Sequence, residues 1–263
     1  GCSAISLIAK ELEGFFKIEF ISFHTNADLA LKQALLMNVR EVIATSIEGY
    51  ESFKKLYHGE KIILKYGEEA LKEACKRKDV EVILLAILGV CGLKFALESI
   101  LEKENRILAI VNKEAIICGN HLLAEKLRGS NTQIIPVDSE HNSLFRLLYD
   151  LKMDDLHEIF ITASGGPFYE MNYSDLRDVS PEDVIKHPVW AMGAKISVDS
   201  ASMANKGLEL IEAYKLFNFE KGKLQAFICR GSVLHAGVSM KDGSSKWFLS
   251  KPDMKNHISH AIS

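Results

Sequence analysis

The stretch Thr132-Gln-Ile-Ile-Pro-Val-Asp-Ser-Glu-His-Asn142 runs an apolar strand directly into two carboxylates, Asp138 and Glu140. Similar short apolar segments precede it, and some of them are separated by segments with helical spacing. This alternation predicts a parallel, doubly wound α/β sheet. The predicted strands are Lys17–Phe23, Glu41–Thr45, Lys61–Leu64, Val80–Leu88, Arg106–Val111 and Thr132–Val137, and the predicted helices are Ser3–Phe16, Asn26–Leu36 and Gly67–Lys76.

The pattern changes after Asp138. Ser164-Gly-Gly-Pro167 and Ser180-Pro-Glu-Asp183 interrupt the chain, and Leu224–Met240 followed by Ser244–Leu249 indicates an antiparallel hairpin around a tight turn. We therefore place a domain boundary near Val137, with a parallel sheet domain at residues 1–137 and an α+β domain at residues 138–263.

Composition and charge narrow the class of protein. Of the 263 residues, 48% are hydrophobic and 25% charged, which is typical of a globular protein, and a net charge of −3 gives no electrostatic footprint for nucleic acid. The longest apolar run, Val82–Leu93, is too short to span a bilayer. The five cysteines are scattered and form no CxxC pair, which argues against a zinc site and predicts a reducing, cytoplasmic location.

A second informative stretch runs from His187 to Glu212 and brings Ser200, Asn205, Lys206 and Glu209 within ten positions. If Met203–Phe217 is a helix, the last three side chains project from one face near its first turn. Such a face suits a phosphate held beside a lysine at a helix N-terminus.

The carboxylates of the two stretches can be combined into one site. In an extended chain Asp138 and Glu140 lie on the same side, at the strand end where α/β proteins bind ligands. With Glu209 they make an all-oxygen site, which favours Mg²⁺ or Mn²⁺. Plainer interpretations stay open, because Lys206 and Glu209 also fit a solvated surface pair, and Asp138 and Glu140 also fit N-caps of a helix at Asn142–Leu148.

Four motifs resemble one enzyme family. Asn112-Lys-Glu114, Pro136-Val-Asp-Ser-Glu-His-Asn142, Thr162-Ala-Ser-Gly-Gly-Pro-Phe168 and the His187–Glu212 stretch are similar to those of 1-deoxy-D-xylulose 5-phosphate reductoisomerases, and they come in that family's order. The resemblance implies a Rossmann-like NADPH-binding domain at residues 1–137 and a catalytic, metal- and substrate-binding domain at residues 138–263.

The resemblance also implies a reaction and partners. The family converts 1-deoxy-D-xylulose 5-phosphate, a sugar phosphate, to 2-C-methyl-D-erythritol 4-phosphate in non-mevalonate isoprenoid biosynthesis. The chemistry is a metal-assisted skeletal rearrangement, by retro-aldol and aldol steps, followed by hydride transfer from NADPH. The metal is Mn²⁺ or Mg²⁺, with Co²⁺ as an alternative, and the enzyme is a cytoplasmic homodimer without nucleic-acid or membrane partners.

Carried over residue by residue, the resemblance assigns roles to four groups of side chains. The metal ligands are Asp138, Glu140 and Glu209. The catalytic residues are Lys113, Glu140, Glu209, His187 and Trp190. The substrate-binding residues are Ser139, Ser164, His187, Ser200, Asn205 and Lys206. The cofactor-binding residues are Gly1, Asn26, Asn112, Lys113, Glu114, Met192 and Gly193. His235 matches a family histidine near the site and equally fits a buried, hydrogen-bonded core histidine.

The chain departs from the family pattern in places. Gly1 resembles the last glycine of the family's phosphate loop, so we expect the first strand, that loop and the C-terminal helical domain to be missing and turnover to be poor. Cys229-Arg230-Gly231 replaces the usual His-Pro-Gln. His24-Thr25-Asn26 lacks the acidic residue that bonds a ribose 2′-hydroxyl, which favours NADP.

Two rival hypotheses stay open beside the reductoisomerase. A phosphorylating aldehyde dehydrogenase also joins a nucleotide fold to a mixed sheet, but it needs a nucleophilic cysteine beside a histidine, and Cys229 alone lies in the motif-rich region, inside an apolar strand. The second rival is a truncated, inactive remnant that retains metal or phosphate binding.

Overall fold

The computed structural model describes residues 2–12, 14–172, 174–184, 194–220 and 222–263. The chain divides into two compact units. The first comprises Gly1–Ile110, His121–Ile134 and Ile258–Ser263, and the second comprises Val111–Asn120 and Ile135–His257. The functional boundary near Val137 stays a prediction.

The first unit contains parallel strands separated by helices, which confirms the predicted α/β class. The strands form two three-stranded sheets, in the orders β1-β2-β3 and β4-β5-β6. Their bounds are β1 Phe20–Phe23, β2 Glu41–Ala44, β3 Ile63–Tyr66, β4 Val82–Leu85, β5 Arg106–Ile110 and β6 Thr132–Pro136. Each predicted strand is present, although most are shorter than predicted.

The facing edges of these two sheets are β1 and β4. Residues of both strands, such as Ile21 and Ile83, line one cleft of about 1460 Å³. The parallel sheet is therefore divided in two within the described residues, where the sequence pattern suggested a single doubly wound sheet.

Six helices lie between residues 2 and 127 of the described chain. Side-chain caps start two of them: Asn26 accepts from Leu29 N at 3.1 Å, and Ser46 accepts from Gly49 N at 3.0 Å. The helix that Ser46 begins was not predicted, nor was the one after β4. The bounds are α1 Cys2–Glu11, α2 Ala27–Leu36, α3 Ile47–Leu56, α4 Glu68–Cys75, α5 Gly92–Ser99 and α6 Lys113–Leu127.

The second unit is built on a four-stranded mixed sheet in the order β10-β9-β7-β8. Strand β9 pairs antiparallel with β10, which confirms the predicted hairpin. The prediction of one long strand over Leu224–Met240 is wrong, because β8 ends at Ile228 and pairs parallel with β7. The bounds are β7 Leu156–Ala163, β8 Leu224–Ile228, β9 Leu234–Met240 and β10 Ser245–Leu249.

One face of this sheet carries an aromatic stack over a glycine. Gly237 lies opposite Trp247 on β10 and opposite Phe160 on β7. A Cβ atom at Gly237 would lie 2.1 Å from the Trp247 ring, so only glycine lets the indole lie across β9. The rings of Trp247 and Phe160 stack at 5.3 Å with an interplanar angle of 19°.

Two helices pack on the sheet and carry the candidate site. Leu144 of α7 and Ala213 of α10 lie in one fully buried cluster with Ile159, Ile161 and Val238 of the sheet. This packing fixes the first turns of both helices within one unit. The helices of this part of the chain are α7 Ser139–Leu148, α8 Pro181–Val184, α9 Ala194–Ala201, α10 Ala204–Phe217 and α11 Met254–Ile262. No helix among the described residues combines the length and apolarity needed to cross a membrane.

Candidate metal centre

Asp138 and Glu140 lie where β6 passes into α7. Helix α7 begins at Ser139, so the extended-chain argument for these two carboxylates is wrong. Asp138 is the N-cap, and its Oδ1 atom accepts a hydrogen bond from Glu140 N at 3.3 Å. The capping role does not exclude a metal role, because oxygen atoms of Asp138, Glu140 and Glu209 lie within 4.8 Å of one another. The structure thus brings together the three predicted metal ligands.

Helix α10 supplies the second half of the cluster. As the spacing predicted, Asn205, Lys206 and Glu209 share one face: Asn205 Nδ2 donates to Glu209 Oε1, and Lys206 Nζ donates to Glu209 Oε2. Lys206 Nζ also donates to Glu140 Oε1 at 2.7 Å. Lys206 and Glu209 are both buried, so the interpretation as a solvated surface pair is wrong.

Lys113 joins both halves of the cluster from the first position of α6. Its ammonium group donates to Asp138 Oδ2 at 3.1 Å, to Asn205 Oδ1 at 2.8 Å and to Glu209 Oε1 at 2.9 Å. Burial alone would lower the pKa of Lys113, but the carboxylates of Asp138 and Glu209 outweigh it and raise that pKa. Lys113 is therefore a fixed positive charge at the site.

His141 fixes two of the carboxylate-bearing residues and was not predicted as a site residue. Its Nδ1 atom lies 3.0 Å from Asp138 Oδ1, and its Nε2 atom donates to the carbonyl oxygen of Glu209 at 2.8 Å. Burial would lower the pKa of His141, but Glu212 and Asp138 raise it to about 9. Protonated at both nitrogens, the ring has no lone pair for a metal.

Glu212 is the second residue that the sequence analysis missed. It is buried, and its Oε2 atom lies 3.5 Å from His141 Nδ1. Burial raises the pKa of Glu212 to about 7, although the His141 charge lowers it in part. Helical spacing could have predicted Glu212 as a site residue. It follows Asn205 by two helical turns and Glu209 by one turn, and so lies on the same face of α10.

The surroundings of Glu140 and Asp138 shift the pKa values of these two carboxyl groups in opposite directions. Burial and the Glu209 charge raise the pKa of Glu140 to about 7, against the opposing effect of Lys206. Burial also acts on Asp138, but Lys113 and His141 hold the pKa of Asp138 well below its usual range. Asp138 is consequently ionised at any neutral pH, whereas the charge of Glu140 depends on its cationic partners.

Two overlapping groups of side chains could hold a cation: Asp138 with Glu140 and Glu209, or Asp138 with His141 and Glu212. The second group fits less well because both ring nitrogens of His141 are already engaged, Nδ1 beside Asp138 Oδ1 and Nε2 with the Glu209 carbonyl oxygen. The first group offers only hard carboxylate oxygens, which fit Mg²⁺ or Mn²⁺. The structure therefore fits a divalent cation at Asp138, Glu140 and Glu209.

The turn after β7 that carries Ser164 lies against the backbone of Ser200. Gly166 approaches Ser200 so closely that a Cβ atom there would lie 2.8 Å from the Ser200 carbonyl oxygen. The Ser164 hydroxyl accepts from Gly166 N at 3.4 Å. The segments that carry these two predicted phosphate residues are thus in contact at Gly166. Asn205 and Lys206 instead contact the carboxylates, and the Ser139 hydroxyl likewise donates to Glu140.

The remaining predicted residues fall into three groups. Asn112 is buried just before α6, Glu114 lies in its first turn, and Asn26 caps α2. His235 is buried with Nε2 3.0 Å from the Ser250 hydroxyl, and burial lowers its pKa, as expected of a core histidine. Outside the described residues lie Gly1, His187, Trp190, Met192 and Gly193.

Parallel sheets with helices, together with a mixed sheet and an oxygen-rich cluster that could hold a divalent cation, define an α/β protein with a candidate metal centre. The chain belongs to the 1-deoxy-D-xylulose 5-phosphate reductoisomerase family. Residues 1–120 match the model of that family, and residues 134–217 match the model of its C-terminal domain. This confirms the resemblance seen in the motifs.

Similar proteins and structures carry the same family name. Reductoisomerases of Ehrlichia canis and Wolbachia pipientis are 38% and 37% identical over the whole chain. A reductoisomerase crystal structure in complex with NADPH, fosmidomycin and magnesium is 29% identical, with a TM-score of 0.90 over 99% of this chain. One from Zymomonas mobilis in complex with NADPH is 32% identical, with a TM-score of 0.87 over 98%. This chain spans about two thirds of their lengths, 67% and 66% of the two proteins and 66% of each structure.

Proposed function

We propose that this chain carries the metal-, substrate- and cofactor-binding parts of an NADPH- and divalent-metal-dependent enzyme that converts 1-deoxy-D-xylulose 5-phosphate to 2-C-methyl-D-erythritol 4-phosphate. One observation carries the proposal: oxygen atoms of Asp138, Glu140 and Glu209 converge within 4.8 Å inside a frame of buried cations. Family membership supplies the reaction.

Asp138, Glu140 and Glu209 are proposed to hold Mg²⁺ or Mn²⁺. When bound there, the cation polarises the carbonyl and hydroxyl oxygens of the substrate as a Lewis acid. The surrounding residues fix the ligands: His141 holds Asp138 and the Glu209 backbone, while Asn205 holds the Glu209 carboxylate. Such support orients ligands before the cation arrives.

Lys113 is proposed as a hydrogen-bond donor to the substrate and not as a base. Its raised pKa keeps the amine protonated at neutral pH, so it has no lone pair to accept a proton. Its contacts with Asp138 and Glu209 place the positive charge beside the metal ligands. A donor there stabilises the oxygen anion that develops during carbon–carbon cleavage.

Ser164, Ser200, Asn205 and Lys206 are proposed to bind the substrate phosphate. The contact between the turn that carries Ser164 and the Ser200 backbone at Gly166 supports this, as does the buried charge of Lys206. Lys206→Ala should weaken inorganic phosphate binding by about 2 to 3 kcal/mol, as expected for a charge-assisted hydrogen bond. A calorimetric titration that shows equal affinity in both proteins would exclude Lys206 as a phosphate residue.

NADPH is the proposed hydride donor, in line with the cofactor named for two similar structures. After β1 the chain continues as His24-Thr25-Asn26, which places no carboxylate where NAD-dependent folds bind a ribose hydroxyl. His24 is braced there, with Nδ1 3.0 Å from the Thr45 hydroxyl. A neutral or cationic donor set fits the 2′-phosphate of NADPH better than a carboxylate does.

The decisive experiment measures two properties of the purified 263-residue chain. NADPH oxidation is followed with substrate and Mg²⁺ or Mn²⁺, and Mn²⁺ binding is followed by electron paramagnetic resonance. Turnover that is lost in Asp138→Asn supports the enzyme. Site-specific Mn²⁺ binding without turnover supports the inactive remnant. Absence of Mn²⁺ binding at the cluster contradicts the enzyme, and absence of phosphate binding as well contradicts the remnant.

A homodimer and a cytoplasmic location are further proposals that follow from family membership and the scattered cysteines. The cysteines whose side chains the structure describes, Cys75, Cys91, Cys118 and Cys229, are free thiols. Analytical ultracentrifugation of the chain at several concentrations tests the dimer: a mass of one chain throughout would contradict it.

A further inference from the structure

Arg230 contacts the turn that carries Ser164. Its Nη1 atom donates to the carbonyl oxygen of Ser164 at 2.9 Å and to that of Gly166 at 3.0 Å. The guanidinium lies over the Tyr169 ring, 4.9 Å from the ring centroid. Cys229 N donates to Ala163 O at 2.8 Å, which anchors the arginine's own segment to the end of β7. One side chain thus binds both ends of a three-residue turn.

The turn has little freedom apart from this contact. Gly165 and Gly166 have φ values of +87° and +70°, a region that favours glycine. A Cβ atom at Gly165 would lie 3.0 Å from Tyr169 and 3.1 Å from Ile228. Gly166 lies against Ser200 on the other side. Arg230 is therefore the charged element of a closely packed turn.

The direction of the carbonyl groups determines where the N–H groups point. In a trans peptide the N–H lies opposite the C=O, so the Ser164 carbonyl that faces Arg230 turns Gly165 N–H away from the guanidinium. The guanidinium is also planar and always charged, so it fixes two acceptors at once where a flexible ammonium group would fix them less firmly.

We propose that Arg230 is a positioning residue for the phosphate subsite: it holds the turn Ser164–Gly166 so that the Ser164 hydroxyl and Gly165 N–H are set against Ser200 to receive the substrate phosphate. This inference rests on the proposed function of Ser164 and Ser200.

The test compares Arg230→Met, Arg230→Lys and a matched control, Arg146→Met. Arg146 is a suitable control because its guanidinium also lies over an aromatic ring, 4.5 Å from the Phe248 centroid, on a helix of the same unit. Each protein is titrated with inorganic phosphate and, separately, with Mn²⁺, and its thermal midpoint is measured. Where turnover is present, KM and kcat are determined separately.

Arg230→Met is expected to weaken phosphate binding about tenfold or more, the loss of a charge-assisted contact network, while Mn²⁺ affinity changes less than about twofold. Arg230→Lys should recover part of the phosphate affinity. In Arg230→Met, KM for the substrate should rise with little change in kcat. Phosphate affinity equal to that of the parent or of Arg146→Met overturns the proposal, as does an equal loss of Mn²⁺ affinity or a parent chain that binds no phosphate. Unchanged phosphate affinity and unchanged KM in an Arg230→Met protein that still binds Mn²⁺ and turns over would leave the proposed function standing while this inference fails.

Discussion

The ammonium group of Lys206 lies 2.7 Å from the carboxylate of Glu140, although 66 residues separate them in the chain. The same ammonium group donates to Glu209, three residues further along α10. The side chains of Lys206 and Glu140 are largely shielded from water, so the charge of each depends on the charge of the other. Breaking such a buried arrangement on one side leaves uncompensated charge, which costs far more than losing a surface pair.

Lys206→Met should lower the free energy of unfolding by about 3 to 5 kcal/mol at about pH 8, because Glu140 loses its ammonium partner and the buried Glu209 keeps only Lys113. The loss should shrink as the pH falls through about 7, where Glu140 takes up a proton and needs no cation. Urea denaturation followed by circular dichroism measures this. Lys223→Met, which removes an ammonium group 3.0 Å from the exposed Glu220, is the control. An equal loss at acid and alkaline pH would contradict the expectation.

Glu209→Gln should lower Mn²⁺ affinity by roughly ten- to a hundredfold, because it removes one hard oxygen ligand and its charge. The amide preserves the volume, so the effect is electronic and not a packing defect. Electron paramagnetic resonance titration measures free Mn²⁺ directly, with Glu220→Gln as the exposed control in the same unit. Mn²⁺ affinity unchanged in both Asp138→Asn and Glu209→Gln would exclude the assigned ligands.

Glu212→Gln should become more stable than the parent as the pH rises. Burial, opposed in part by His141, raises the pKa of Glu212 from 4.5 to about 7, so its stabilising contribution is present below about 4.5 and lost through about 7. Above that range the free energy of unfolding of the glutamine variant should exceed that of the parent by about 1 to 3 kcal/mol. The difference is smaller than the pKa shift alone would give, because His141 loses its charged partner. Denaturation in chelator at several pH values tests it. A pH-independent difference would contradict the raised pKa.

Gly166→Ala should destabilise the second unit by about 1 to 3 kcal/mol, because the new methyl group meets a backbone carbonyl at a positive φ. Gly207→Ala is the matched control: it lies inside α10 with open space around it, and alanine there should stabilise the helix by up to about 1 kcal/mol. Thermal unfolding of both variants shows the opposite signs. An unchanged thermal midpoint in Gly166→Ala would contradict the expectation, because the Ser164 turn would then accommodate the methyl group without loss of stability.

Much of the fold was predictable because short apolar strands were bounded by polar turns. Helices were harder to find: α3 begins at a good N-cap, Ser46, but its apolar residues are few and several are exposed. Strands β8 and β9 were merged because apolar residues continue on both sides of Cys229-Arg230-Gly231, although Ser232 adopts a φ of +47° and breaks the strand.

The candidate metal ligands could be predicted from the sequence, because residue type alone indicates which side chains can bind a hard cation. Carboxylates on a strand end and a helix face identified Asp138, Glu140 and Glu209, even though helix α7 and not an extended chain brings the first two together. The role of His141 could not be read from spacing, because its Nε2 atom bonds a backbone carbonyl, an acceptor that every residue carries. Arg230 likewise acts through backbone oxygens.

The indole of Trp247, lying flat across Gly237 and stacked on Phe160, makes the protein its own optical probe. The chain contains two tryptophans, and the other, Trp190, is a predicted catalytic residue of the His187–Glu212 stretch. In Trp190→Phe, emission reports the integrity of the mixed sheet alone. In Trp247→Phe, it reports only the surroundings of Trp190. A pair of single-tryptophan variants therefore separates unfolding from ligand response without any added dye.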